Sequence, residues 1–333
     1  MMNNTLKNPD INLSRGDIVF GKWHKHHYTI IDTLGYGANG YVYLALDKNA
    51  KHVALKLSDN SLSITSEVNV LKHFSKVQGF ALGPSLIDVD DWEKTKGKQP
   101  ISFYVMEYLK GENFLAFVSQ RGNEWIGVLI LQLLTDLEVL HNEGWVFGDL
   151  KPDNLIVSNA PAKVRMLDVG GTTIKGRAIK EFTEFFDRGY WGLGSRKAEP
   201  TYDLFSVAMI MVNACYPRRF QKDGTGMKQL KNAILRHPWL SKHQRVVTRA
   251  LEGKYSTAKE MKLDLTKSLS KTISSDKTPV SADSGSNRSA SRMARKQSNQ
   301  KRRGKRYKCI VETLVLASIV FLVYFIYVYG NLL

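Results

Sequence analysis

Residues 145–171 read WVFGDLKPDNLIVSNAPAKVRMLDVGG, and the reading of this stretch decides the fold. NLIVS and KVRMLD are short strand-like runs, and they are separated by turn residues and preceded by a proline-containing polar loop. Asp149, Lys151 and Asn154 stand in that loop, and Asp168 closes the second run. Each alone reads as an ordinary turn former or solvated charge, and the question is what stands around them.

Outward toward the N-terminus, YTIIDTLG, YVYLAL and HVALKLS between residues 28 and 58 predict an antiparallel three-stranded start. The turn between the first two is GYGANGYV, Gly35 to Val42, a glycine-rich loop between two strands rather than between a strand and a helix. VALK places Lys56 on the third strand, 21 residues after Gly35. SEVNVLKHFSKV follows with Val68, Leu71 and Phe74 at helical spacing and Glu67 at its start, and ISFYVMEYL reads as a further buried strand. Outward toward the C-terminus, NEWIGVLILQLLTDLEVLHNEG has an apolar face too broad for a surface helix, and helical pattern resumes over Leu204–Cys215 and Met227–Leu251. The expectation is an α+β fold of two lobes, β-rich then helical.

In this order and spacing the glycine loop, Lys56, Glu67, GDLKPDN and DVG resemble the protein kinase signature over residues 21 to about 265. The resemblance implies a bilobal kinase fold that uses ATP and Mg2+, with Mn2+ as an alternative ion, to phosphorylate protein hydroxyls. It implies that backbone amides of Gly35, Tyr36, Gly37, Ala38, Asn39 and Gly40 cover the phosphates, and that Lys56, aligned by Glu67, holds two of them. Asn154 and Asp168 would take the metal and Asp149 would receive the hydroxyl proton. Val42, Ala54, Met106 and Leu155 would wall the adenine slot, with Glu107 and Tyr108 as hinge. Lys151 matches the serine/threonine subclass.

Three departures stand out. Phe147-Gly148-Asp149 replaces the family's His-Arg-Asp, which puts activation through a phosphate-binding arginine in doubt. Val169 replaces a phenylalanine, and Ala198-Glu199-Pro200 is no clean match for Ala-Pro-Glu, so the peptide platform is undefined at this level. Thr172, Thr173 and Thr183 are candidate autophosphorylation sites, against the plain reading of solvated loop threonines. Two alternatives remain: a small-molecule kinase of aminoglycoside-phosphotransferase type, and an ATP-binding pseudokinase scaffold.

At 43% hydrophobic and 24% charged, the 333-residue chain is not disordered as a whole. Its net charge of +17 is concentrated: Arg288, Arg292, Arg295, Lys296, Lys301, Arg302, Arg303, Lys305, Arg306 and Lys308 carry ten charges with no acidic residue among them. Residues 266–308 are too polar to form a core and read as a linker, and residues 1–20 as an N-terminal extension. An apolar or small-residue run from Thr313 to Tyr329 predicts a single transmembrane helix over 310–330. The basic flank places the kinase-like domain in the cytoplasm and the C-terminus outside, at the cell membrane. Anionic membrane lipid is the expected partner of the basic cluster and DNA the second candidate, beside protein substrates and a homodimer. This tail-anchored layout resembles short bacterial kinases of the Hanks type, for which DNA activation and expression during sporulation are implied as candidates. Two cysteines, Cys215 and Cys309, give no disulfide framework or zinc spacing. His24, His26 and His27 read as a short histidine-rich leading strand, solvated where no fourth ligand lies nearby, with metal binding as the alternative.

Overall fold

Alternation with period two sorts the N-terminal strands into two faces. In the fourth strand Val53, Leu55 and Leu57 join one buried cluster, while Ala54 joins another and Lys56 points with it. The sixth repeats the rule, with Phe103 and Val105 on the first face and Tyr104 and Met106 on the second. The computed structural model describes residues 11–37, 40–77, 83–94 and 99–275, all within one compact unit, Met1–Lys277.

The N-terminal part comprises β1 (Ile18–Phe20), β2 (His27–Gly37), β3 (Gly40–Leu46), β4 (His52–Ser58), α1 (Ser61–Phe74), β5 (Leu86–Trp92) and β6 (Ile101–Glu107). Its strands form an antiparallel sheet in the order β1-β2-β3-β4-β6-β5. Asn60 caps α1 by accepting from Ser63 N at 3.2 Å, so the helix begins five residues before the expected Ser66 and Glu67 lies in its second turn. β5 was not anticipated, because LIDVDDW carries three aspartates, two of them buried.

The C-terminal part runs through β7 (Glu112–Asn113), α2 (Phe114–Arg121), α3 (Glu124–Asn142), β8 (Trp145–Val146), β9 (Leu155–Asn159), β10 (Ala162–Met166) and β11 (Thr173–Ile174). It continues with α4 (Arg188–Trp191), α5 (Pro200–Cys215), α6 (Met227–Arg236), α7 (Pro238–Lys242), α8 (Gln244–Leu251) and α9 (Ala258–Ser275). Every residue of α5 from Tyr202 to Ala214 is buried, as an axis apolar on all sides must be. Pro238 interrupts what reads as one helical stretch over Met227–Leu251, because proline cannot donate to the preceding turn.

Two boundaries differ from the sequence reading. Ile11, Leu13 and Val19 are buried in the N-terminal core and Tyr43 hydroxyl donates to Ile11 O at 2.7 Å, so part of the expected extension is integral to the sheet. The last helix runs ten residues past 265, with Leu269 against Gly127 of α3. No helix among the described residues is long and apolar enough to cross a membrane. The expected transmembrane helix at 310–330, the basic cluster from Arg288 to Lys308, and Ala38 and Asn39 of the glycine loop lie outside the described residues.

Candidate active site

The glycine loop is the hairpin between β2 and β3. A Cβ at Gly40 would fall 2.0 Å from Leu57 O, so that glycine is fixed by close approach to β4. At Gly35 and Gly37 an added Cβ would meet nothing within 4 Å. Their bare backbone serves no internal packing and leaves a cradle of the kind a phosphate needs. Tyr36 beside them is exposed.

Beneath the loop, Val42 pairs with Lys56 across β3 and β4, and Ala54 with Met106 across β4 and β6. Ala54, Met106 and Leu155 belong to one buried cluster on which Val42 packs, so the four apolar residues expected to wall the slot share one core. Glu107 turns its carboxylate away: it accepts from Ser85 N and Arg165 Nη2, each at 3.1 Å. Burial works against that charge, but these hydrogen bonds hold the carboxyl below its ordinary range. Tyr108 rests against His52, with ring centroids 6.3 Å apart.

Lys56 is buried and donates to Glu67 Oε2 at 2.7 Å, with Asp168 Oδ1 at 3.6 Å. Burial alone would lower the ammonium's pKa, but Asp168 and Glu67 outweigh it and hold the group charged. Glu67 is itself positioned by Tyr104 hydroxyl at 2.7 Å and Ser63 Oγ at 3.1 Å. Tyr104 reads in the sequence only as strand core; its proximity to Glu67 follows from strand register.

Around the catalytic loop, Asp203 of α5 is fully buried and accepts from Phe147 N at 2.8 Å and Gly148 N at 2.9 Å, with His141 Nε2 at 2.9 Å. The loop backbone is thus held by a carboxylate from the central helix. Gly148 has φ +85°, and a Cβ there would lie 2.8 Å from Gly171 O. Phe147 is buried where the family's histidine would be. Lys151 Nζ donates to Asp149 Oδ2 at 2.6 Å and to Thr183 Oγ1 at 3.1 Å, and Thr183 donates to Asp149 Oδ1 at 3.3 Å. Asn154 donates to Asp149 O at 3.0 Å, and Asp168 Oδ1 accepts from Gly170 N at 2.9 Å while its carboxylate remains partly exposed. Val169 is buried beside Gly83.

The segment after Asp168 is ordered by its own residues. Asp187 accepts from Gly189 N, Tyr190 N, Tyr202 hydroxyl at 2.9 Å and Arg196 Nη2 at 2.6 Å. Arg188 donates to Ser195 O, Thr201 Oγ1 and Glu199 Oε2. The platform that Ala198-Glu199-Pro200 left undefined is therefore built on Asp187 and Arg188, which the sequence reading missed. Thr172 and Thr173 are buried, and Thr183 is tied to Asp149, so none of the three candidate autophosphorylation residues is a free loop hydroxyl in this conformation.

The protein kinase domain family matches residues 28–280. Over 265 residues the chain is 54% identical to serine/threonine-protein kinase YabT of Bacillus subtilis, covering 80% of this chain and 78% of that protein. It is 26% identical over 220 residues to the probable serine/threonine-protein kinase YbdM of the same organism, covering 62% of this chain and 77% of that one. Serine/threonine-protein kinase PknG of Mycobacterium leprae aligns over 172 residues at 28% identity, covering 48% of this chain and 21% of the relative.

Proposed function

This chain belongs to the protein kinase family and is a serine/threonine kinase of the bacterial Hanks type, and on that basis we propose that it transfers the γ-phosphate of ATP to protein hydroxyls from a membrane-anchored position. The observation that carries the reading is the convergence of Lys151, Thr183 and Asn154 on Asp149, with the Lys56–Glu67 pair already closed.

Asp149 is the group that receives or orients the proton of the attacking hydroxyl, its carboxylate held at one oxygen by Lys151 and at the other by Thr183. Lys151, once a phosphoryl group is near, has a charge to offer it. The open cradle at Gly35 and Gly37, the buried cation of Lys56 and the oxygen donors of Asn154 and Asp168 fit a metal-bound triphosphate. Asn154 and Asp168 would hold Mg2+ or Mn2+, which supplies neutralisation of charge building between the β- and γ-phosphates. Asp187 and Arg188 hold the segment through their own hydrogen bonds, and Gly148 offers no guanidinium to a phosphate, so activation does not run through a phosphate bound at that position.

Residues 310–330 anchor the chain and the ten cations from Arg288 to Lys308 lie on anionic lipid; the support is the apolar run and the adjoining charge. DNA is the second ligand of the same cluster, supported by a charge excess beyond what topology needs. The tail-anchored layout read from the sequence, which resembles short bacterial kinases of the Hanks type, supports a role in sporulation. Incorporation of labelled phosphate from ATP and magnesium by the full-length chain tests the central reading. Lys56→Ala and Asp149→Asn are each expected to abolish labelling of serine and threonine. Labelling of kanamycin in place of protein would overturn it.

A further inference from the structure

Away from the phosphoryl-transfer centre, β5 turns two buried carboxylates toward the turn that joins β1 to β2. A register shift between Leu86 and Asp88 marks an irregularity of β5 at that point, the kind of feature that re-aims a side chain. Asp90 fixes the turn's backbone by accepting from Trp23 N at 2.9 Å and His24 N at 2.8 Å. Asp88 faces the turn's side chains: His24 Nδ1 lies 2.6 Å from its Oδ1 and His26 Nδ1 2.9 Å from its Oδ2. The expected leading strand is here a turn, with Lys25 at φ +59° between the two histidines, and His27 opens β2.

From this arrangement we infer that His24, His26 and Asp88 form a binding site for a transition-metal dication, zinc in preference, with solvent completing the coordination. One ligand atom from each of the three lies within 4.8 Å of the others, close enough for a single ion to replace the hydrogen bonds now joining them. Two imidazoles and one carboxylate make a donor set that suits zinc and disfavours magnesium, which prefers oxygen alone.

Outer contacts already hold the carboxylate as a ligand requires. Tyr28 hydroxyl donates to Asp88 Oδ2 at 2.7 Å and Val89 N donates to Oδ1 at 2.9 Å. The carboxylate is only 6% exposed while the imidazoles are 54% and 43% exposed, which leaves a path for the ion and room for water. Ligation through Nδ1 takes that atom's lone pair, so a neutral ring carries its proton on Nε2 and a charged ring gives one to solvent. Bound metal would tie the β1–β2 turn to β5 across more than sixty residues of chain, stabilising the sheet by mass action.

The test uses the full-length chain in detergent, stripped with chelator and titrated with Zn2+ against a chromophoric competitor, with thermal denaturation in parallel. One equivalent of Zn2+ is expected to bind and to raise Tm. His24→Ala and His26→Ala, at the two more accessible side chains of the three, should each weaken binding at least about tenfold and cancel the Zn2+-dependent rise in Tm. Millimolar Mg2+ should not compete, and Asp168→Ala should leave the site intact. The inference is overturned by absence of stoichiometric uptake, by uptake unchanged in both histidine variants, or by its loss in Asp168→Ala, which would place the ion at the nucleotide site.

Discussion

Tyr104 shows how one hydroxyl sets a catalytic geometry. It shares Glu67 Oε2 with Lys56, each at 2.7 Å, so the carboxylate that aligns the lysine is itself aligned from β6. Tyr104→Phe keeps the packing and removes one hydrogen bond to a charged group, roughly 1.5 kcal/mol in typical cases. The expected result is a Tm lower by a few degrees together with a fall in kcat/KM for ATP of up to about tenfold; steady-state kinetics unchanged within error would remove Tyr104 from the site's support. Gly148 carries a second prediction. An arginine there would restore the family's usual triplet, but φ +85° and Gly171 O at 2.8 Å from any Cβ oppose every side chain. Gly148→Arg should cost about 1–2 kcal/mol from the left-handed backbone alone, before the clash, lowering Tm and activity together. A variant as stable as the parent, or one whose activity comes to depend on phosphorylation, would refute this account. Motif spacing names Lys56, Glu67, Asp149, Asn154 and Asp168; Tyr104 and the contact of Thr183 with Asp149 carry no motif, because register and a folded-back segment bring them in from 37 and 34 residues away.

At the scale of elements, what the sequence concealed was polarity in unexpected places. β5 escaped the pattern because two of its three inward positions, beside Trp92, are Asp88 and Asp90, which serve the β1–β2 turn rather than an apolar core. The residues before β1 read as an extension, yet Ile11 and Leu13 are 2% and 6% exposed and close one end of the N-terminal core. Deleting residues 1–20 also removes Val19, and loss of one large buried aliphatic side chain typically costs about 2–5 kcal/mol. The truncated chain should therefore show a Tm lower by many degrees; a Tm equal to that of the full chain would place these side chains outside the core. The segment between β11 and α5 predicts a pH response. Burial opposes the Asp187 charge, but Arg196, Tyr202 and the amides of Gly189 and Tyr190 outweigh it and hold its pKa below the ordinary aspartate range near 3.8. Its folded pKa is depressed, so its contribution is complete above the unfolded value and is lost as pH falls from about 4 through the folded value. In Asp187→Asn that part of the acid-induced fall in Tm should be missing, while at neutral pH the variant should be the less stable of the two. An identical fall below pH 4 in both would mean that Asp187 does not titrate with folding.

For the whole molecule, the catalytic domain is only mildly basic and the charge that shapes its surroundings is gathered between Arg288 and Lys308. In the proposed membrane arrangement, the ten cations beside the apolar run Thr313–Tyr329 would attract anionic lipid at about 1 kcal/mol per basic residue close to the surface, an attraction that fades beyond a Debye length. A duplex would offer the same charges a denser array of phosphates but, in that arrangement, would have to compete with the membrane. The two ligands are separable because lipid composition and DNA can be varied independently. For the full-length chain in neutral nanodiscs, duplex DNA should bind with an affinity that falls steeply between 50 and 200 mM salt, the slope approaching about −0.9 per phosphate neutralised. In nanodiscs rich in phosphatidylserine the same DNA should bind much more weakly, since the cations are already engaged. Exchanging the ten residues for glutamine should abolish DNA binding in both and leave the phosphorylation of a peptide substrate in neutral nanodiscs unchanged, because the hydrogen bonds that hold Asp149 come from Lys151, Asn154 and Thr183. DNA affinity indifferent to lipid charge would mean that the cluster stands clear of the membrane and that nucleic acid, not lipid, is its ligand.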